Sequence, residues 1–316
     1  MLRSPARRVN VEVRVVEELL DKRLVIVTGK GGVGKSTLAA ALALESAREG
    51  RKTLVCEVNA KERITQLLGH PPVGAELTLV EDNLWAVNAR PQEAMREYAL
   101  MILKFESIYN AVFENKVVQY FLRFIPSLQE LVLLGKILYH LKEKRPDGSW
   151  RFERVIVDAP ATGHAVTFFS VPQVLLDTLP PGAMANEAKW MRDFLVDPTT
   201  TAAVLVCLPE ELPVNETLEL HATLTTKVGI RAPLVVLNSF VEPRFEPAQD
   251  LAGLSVGLAD LARAHLRMAE QSRVSLERLR ALKARIRTVP RLFGDALGRG
   301  ALETISTSLS SGASRP

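Results

Sequence analysis

Residues Thr28-Gly29-Lys30-Gly31-Gly32-Val33-Gly34-Lys35-Ser36-Thr37 restrict the fold more than any other stretch of the chain. They follow a short apolar run, Leu24-Val25-Ile26-Val27, and open a helical pattern from Leu38 to Glu49 that Gly50 closes. A glycine-rich turn between a buried strand and a helix is a phosphate-binding loop. The glycines let consecutive N–H groups point at one anion, and the helix N-terminus adds positive dipole. Lys35 then reaches the β- and γ-phosphates of a nucleotide, and the Ser36 hydroxyl is placed for Mg²⁺. A flexible loop with two solvated lysines is the alternative, and the flanking strand and helix argue against it.

Further apolar runs alternate with helical segments: Thr53 to Val58, Leu84 to Val87, Val155 to Asp158, Ala202 to Leu208, Leu234 to Asn238 and Ile286 to Val289. Several lack polar alternation, as strands covered on both faces do. The chain therefore reads as an α/β protein, a doubly wound, mostly parallel sheet of the P-loop NTPase kind with a helical insertion. In such sheets ligands bind beyond the carboxyl ends of the strands, where the glycine loop, Asn59, Asp158 and Asn238 all fall.

The insertion covers about 91–147. Met95, Tyr98, Ile102, Phe105, Ile108 and Val112 recur at helical spacing. A second helix begins near Ser127, where Ser-Leu-Gln-Glu is a capping box, and runs through Leu131, Leu134, Ile137, Leu138 and Leu141. Pro146-Asp147-Gly148 reads as a turn. This apolar surface is either a client or partner surface or simply a face packed on the core. From Asp250 to Arg285 a helix or helix pair carries a basic side formed by Arg263, Arg267, Arg273, Arg278, Arg280 and Lys283, read as solvated. The domain expectation is an N-terminal extension at 1–22, one ATPase domain at 23–309 and a disordered tail at 310–316.

Forty basic against thirty-six acidic residues leave a net charge of +4, too small and dispersed to indicate a nucleic-acid partner. Cys56 and Cys207 both sit in leucine- and valine-rich runs and read as small core residues, so no disulfide framework is expected. Residues 1–14 are basic without an apolar signal region, and no run approaches a stable membrane span. The expected location is cytoplasmic.

Lys30 sharpens the reading, because KGGVGKS with an early lysine resembles the deviant Walker A ATPases, the group of MinD, ParA, nitrogenase iron protein, the arsenite-pump ATPase ArsA and the tail-anchored-protein targeting ATPase. In that group the early lysine crosses a dimer interface to the partner's nucleotide; here Lys30 does so or serves its own nucleotide. Asp158-Ala159-Pro160-Ala161-Thr162-Gly163-His164, after a strand, is a Walker B aspartate followed by a segment that resembles the DTAPTGHT signature of the ArsA and tail-anchored-targeting branch. In that branch this segment is switch II, and His164 is either part of it or a structural histidine. Val206-Cys207-Leu208-Pro209-Glu210 with Asn215-Glu216-Thr217 resembles the branch's strand and helix entry. The resemblance implies that Asn238 reads adenine, that Pro290 begins a loop near the base, and that Asp158 and Ser36 support Mg²⁺.

The resemblance breaks at the second strand. The branch places a water-positioning aspartate where this chain has Asn59, an amide that orients water but takes no proton. Glu57 emerges on the same face roughly 7 Å back along the strand. The expectation is an ATP-binding ATPase, Lys30, Lys35, Asp158 and Asn59 being its catalytic group, with slow turnover, dimerising as a homodimer or as a heterodimer with a related ATPase, and handling a hydrophobic client protein. The alternatives are the energising subunit of an anion or metalloid pump, which would need thiols in a cluster, and a positioning switch of the MinD or ParA kind. The zinc-binding CxxC pair of the eukaryotic targeting ATPase has no counterpart here.

Overall fold

A computed structural model describes residues 17–19, 21–58, 61–103, 128–178, 180–245, 254–292 and 298–310. Strands β1 (Leu24–Gly29), β2 (Thr53–Val58), β3 (Thr78–Glu81), β4 (Leu84–Ala89), β5 (Arg154–Ala161), β6 (Thr201–Cys207), β7 (Leu234–Phe240) and β8 (Arg285–Pro290) form one sheet in the order β3-β4-β2-β5-β1-β6-β7-β8. All neighbours run parallel except β3, which pairs antiparallel with β4 at one edge. β3 is the strand that the sequence reading lacks. It has four residues, none fully buried, and so shows none of the apolar continuity that marks the central strands.

The continuous apolar runs follow from two cores, one on each face of the sheet. In β1, Leu24 and Ile26 face one core while Val25 and Val27 face the other. β6 repeats the pattern, with Ala203, Leu205 and Cys207 on the first side and Ala202, Val204 and Val206 on the second. A strand flanked by water on neither face is apolar on both faces over most of its length, so its period-2 signal vanishes.

Helices α1 (Lys35–Arg48), α2 (Ile64–Leu67), α3 (Pro91–Leu103), α4 (Leu128–Lys142), α5 (Thr162–Thr178), α6 (Ala183–Val196), α7 (Glu211–Thr223), α8 (Val256–Leu279) and α9 (Arg299–Ser310) cover the sheet. α1 and α9 contribute Leu38, Leu42, Leu302, Ile305 and Leu309 to the second core, and α4, α5, α6 and α7 contribute to the first. The helix read as starting near Ser127 begins at Leu128, and Leu131, Leu134, Ile137, Leu138 and Leu141 are all buried in the first core. That apolar face packs against the sheet and is not an open surface. Met95 packs on the same core; Phe105, Ile108, Val112 and Ser127 lie outside the described residues, as do 1–16 and 311–316.

Among the described residues of the stretch 250–285 there is one helix, α8. Three of the six basic residues have local acidic partners, Arg263 with Asp260 at 2.8 Å, Arg273 with Glu270 at 2.6 Å and, just past the helix end, Arg280 with Glu277 at 2.7 Å. Such i,i+3 pairs keep a charged helix face solvated. Among the described residues no helix is long and apolar enough to cross a membrane.

Phe152, fully buried just before β5, meets Trp85 edge-on with centroids 5.5 Å apart and His140 with centroids 5.8 Å apart. It joins β4, α4 and the start of β5. Phe152→Ala is expected to lower unfolding stability by about 3–5 kcal/mol, measured by denaturant titration.

Candidate functional site

β1 lies between β5 and β6, and the chain crosses over β1 when it passes from β5 to β6, so the carboxyl ends of these three strands frame a crevice at the switch in strand order. The glycine loop fills that crevice. Gly29 has φ 149° and its Cα lies so near β6 that an added Cβ would stand 2.3 Å from the Val206 carbonyl oxygen. Gly34 has φ 97° and caps α1; a Cβ there would stand 2.4 Å from Nδ2 of Asn238. Only glycine satisfies both the left-handed backbone and the close approach.

Asn238 therefore lies directly on the loop. Its Nδ2 donates to the Val33 carbonyl at 2.9 Å, and its Oδ1 accepts from the Ser239 N–H at 2.9 Å. Ser239 itself is left-handed, φ 57°, where β7 departs from the sheet. A primary amide has two N–H donors and two acceptor lone pairs, so one of each is left for a ligand. Gly32, Gly34, Thr37, Asn238 and Pro290 line one cleft of about 650 Å³. Pro209, Met268 and Gln271 complete its walls. The contribution of α8 was not legible in the sequence, because Met268 and Gln271 belong to a helix that shows only amphipathic spacing.

The two lysines have different partners. Lys35 Nζ donates to the Lys30 carbonyl at 3.0 Å, folding back over the loop, and burial lowers its pKa while Asp158 raises it. Lys30 Nζ pairs with Glu216 Oε1 at 2.6 Å, both side chains being about one-quarter exposed (28% and 29%). Glu216 lies on α7, and its neighbour Asn215 accepts from Arg278 of α8 at 2.5 Å. The Glu216 partnership is a site feature that the sequence reading missed.

Asp158 is the fifth residue of β5 and buried, with Val27 as its register partner on β1 and Glu57 on β2. Its Oδ2 accepts from Ser36 Oγ at 2.5 Å, joining the start of α1 to β5. Burial raises the Asp158 pKa, against the pull of Ser36 and Lys35. Its other oxygen, Oδ1, is buried with no hydrogen-bond partner among the described residues. A buried carboxylate oxygen without a donor beside a hydroxyl suits a hard divalent cation such as Mg²⁺. Among the described residues no group of three His, Cys, Asp or Glu could hold a metal by itself, so phosphate and water would supply the remaining ligands.

Glu57, 3% exposed, accepts with Oε1 from the backbone N–H of Arg63 at 2.8 Å and of Ile64 at 3.3 Å. Burial pushes its pKa up to about 7, the two N–H donors pull it down, and Asp158 and Glu62 add to the rise. Asn59 lies outside the described residues. Cys56 and Cys207 are free and buried in different strands, and burial pushes their thiols up to about 12 and about 11.

Fold and crevice together define a P-loop α/β protein with a nucleotide-type phosphate loop. Consistent with this, the sequence matches the profile of the anion-transporting ATPase (ArsA) family over residues 22–184 and 180–250, and the chain belongs to that family. It is 34% identical to the ATPase BagA of Mycobacterium tuberculosis over 75% of this chain and 71% of the relative. It is 26% identical to the ATPase GET3 of Mycosarcoma maydis over 72% of this chain and 76% of that one. With a putative arsenical pump-driving ATPase of Halobacterium salinarum it shares 29% identity over 71% of this chain and 37% of the longer relative.

The raised Glu57 pKa has a consequence for stability. A carboxyl that ionises later when folded binds its proton more tightly in the native state, so its ionisation weakens the fold as pH rises from near 4.5 through about 7. Nucleotide-free protein should lose stability across that window, and Glu57→Gln should remove on the order of 2 kcal/mol of the loss. Denaturant midpoints measured from about pH 5 to about pH 8 read this directly; superimposable profiles for the two proteins would exclude it.

Proposed function

We propose that the chain is an ATP-binding, slowly hydrolysing ATPase that dimerises with nucleotide, as a homodimer or as a heterodimer with a related ATPase, and handles a hydrophobic client protein. The observation that carries the nucleotide part is the Ser36–Asp158 hydrogen bond at 2.5 Å beside an Asp158 Oδ1 that has no partner among the described residues. Gly29 to Thr37 would cradle the triphosphate, and Lys35 and Lys30 would neutralise its charge. Ser36 and Asp158 would hold Mg²⁺, which when bound neutralises charge on the phosphate oxygens. Asn238 and Pro290 would enclose adenine. For Lys30 to meet phosphate, in its own chain or in a partner, its ammonium, with three N–H donors, would share or leave its contact with Glu216.

The client part rests on apolar surface elsewhere than the sequence reading places it. α4 is packed into the core, whereas Val256, Leu258 and Leu261 on α8 are exposed at 79%, 55% and 69%. Phe240, Phe245, Leu266 and Val274 border a groove of about 920 Å³ along the same helix. A patch of this kind on an otherwise polar helix marks an interaction site. The pump reading has the relatives' names behind it, yet two buried thiols in separate strands offer no soft-ligand cluster for a metalloid. Metalloid-stimulated hydrolysis would revive it, and ATP-dependent binding to lipid or DNA would favour a positioning switch.

Calorimetry with ATP and Mg²⁺ tests the central claim. Lys35→Ala is expected to lower ATP affinity by about tenfold or more, and an absence of ATP binding by the native chain would remove the reading. Lys30→Ala should leave a monomer in light scattering with a slowly hydrolysed ATP analogue, where the native protein shows a dimer or, with its partner ATPase, a heterodimer. Because an amide takes no proton, Asn59→Asp is expected to raise the single-turnover hydrolysis rate by about tenfold or more; an unchanged or lower rate would refute the assignment of slow turnover to Asn59.

A further inference from the structure

We propose that the chain carries a second anion site, separate from the phosphate loop, in which Arg287 and its neighbours bind the phosphate group of a small organic phosphate monoester. A cavity of about 380 Å³ lies along β8, the edge strand of the sheet. Two helices that pack on opposite faces of the sheet reach it there, α8 with His265 and α9 with Ser308. Cationic side chains come from three places: Arg287 in β8, Arg291 just after it, and Arg244 in the stretch that follows β7. Glu242 is the one acid in the lining, so three arginine charges stand against one carboxylate.

Arg287 is the side chain that points to a ligand. Its Nε is buried and has no hydrogen-bond partner among the described residues. A guanidinium nitrogen withdrawn from water costs free energy unless an acceptor meets it. The Arg287 backbone is fixed by the β7–β8 ladder, where Val236 is its register partner. The surrounding wall is fixed as well. The Arg291 N–H donates to the Phe240 carbonyl at 2.8 Å, the Val241 N–H to the Ser272 hydroxyl at 3.2 Å, and His265 Nε2 to the Glu242 carbonyl at 3.1 Å. Strand, helix and connecting segment thus hold the cavity open around an unmatched donor.

The lining selects the class of occupant. Each guanidinium presents paired N–H donors that match the oxygens of a phosphate. Several such forks around one space suit a dianion with three terminal oxygens, whereas a single fork satisfies a carboxylate. Thr288 adds a hydroxyl donor. Phe240, Pro243 and Pro290 make other parts of the wall apolar, and the volume falls in the range of small-molecule pockets, which leaves space for a short carbon body beyond the phosphate. Nucleotide phosphates have a different place: no residue of the glycine loop borders this cavity, whereas Gly32, Gly34 and Thr37 border the neighbouring cleft. The two spaces share Val241, Pro290 and Arg291 as a common wall.

The test is calorimetric titration of glycerol 3-phosphate into the native protein, Arg287→Gln, Arg244→Gln and Lys35→Ala, with inorganic phosphate and malate as comparison ligands. Expected for the native chain is a site with a dissociation constant below about 1 mM. Arg287→Gln should weaken it by about tenfold or more and Arg244→Gln by about threefold or more, while Lys35→Ala keeps a site within about threefold of native. Inorganic phosphate should bind less tightly than the ester, and malate less tightly than either. No binding of the ester by the native chain at about 10 mM overturns the proposal. So does binding that Lys35→Ala abolishes and Arg287→Gln leaves intact, since the anion would then sit on the phosphate loop. Malate binding tighter than the ester would assign the cavity to carboxylates, and inorganic phosphate binding as tightly as the ester would leave no role for the carbon body; either refutes the monoester. Should Arg287→Gln fail to fold, Arg244→Gln replaces an exposed residue, and native affinity in that variant overturns the site. ATP takes no part in these titrations, so failure of the nucleotide reading and failure of this site are separately visible.

Discussion

The hydrogen bond from Ser36 to Asp158 joins two elements 122 residues apart in sequence, and the crevice exists because both ends of it are rigid. Ser36 lies in the first turn of α1, whose buried face of Leu38, Ala39, Ala41 and Leu42 presses on the sheet. Asp158 is held by β5, which is hydrogen-bonded to β1 on one side and to β2 on the other. Burial makes this contact strong and makes its loss expensive, since a carboxylate out of water needs donors or a cation. One Asp158 oxygen has its donor and the other has none among the described residues. An unmatched acceptor at the centre of a well-packed sheet is a defect in terms of stability alone, and it becomes intelligible once a cation and a triphosphate are counted as part of the finished structure.

What the sequence made legible follows the same division between what burial forces and what only tertiary contact decides. β1, β2, β5, β6 and β7 announced themselves because strands covered on both faces are apolar on both faces over most of their length. The glycine loop was equally readable, since Gly29 and Gly34 occupy left-handed positions with no space for a Cβ. β3 escaped because a partly exposed edge strand of four residues carries no distinctive period. The amphipathic stripe of α4 left two readings open, a partner surface or a core face, and a stripe is the same in either case. Only the contacts with Phe152, Phe168 and the strands decide for the core.

The polar network around the loop was the least legible part. Glu216 stands 186 residues from Lys30, and nothing in either local sequence signals the pairing. Glu57 was visible as a same-face neighbour of Asn59, but the direction in which its carboxylate turns was not. Strand parity places a side chain on a face, and the loop that follows decides what it meets. Here the return of the chain at Arg63 and Ile64 brings two unsatisfied N–H groups to Oε1. The sequence therefore located the acid and could not assign its work.

The Lys30–Glu216 pair shows how such a network can connect distant surfaces. An ion pair at half-buried positions contributes little to folding, because desolvation and side-chain entropy offset much of the attraction. Its greater effect is on where the ammonium rests when no phosphate is present. Glu216 is rooted in α7, whose Asn215 is bonded to Arg278 near the end of α8, and α8 carries the exposed Val256, Leu258 and Leu261 at its opposite end. α8 also lends Met268 and Gln271 to the cleft that Asn238 and Pro290 line. A single helix thus borders the candidate nucleotide cleft with its middle, contacts Asn215, the neighbour of the lysine's partner, through one end and presents apolar side chains at the other.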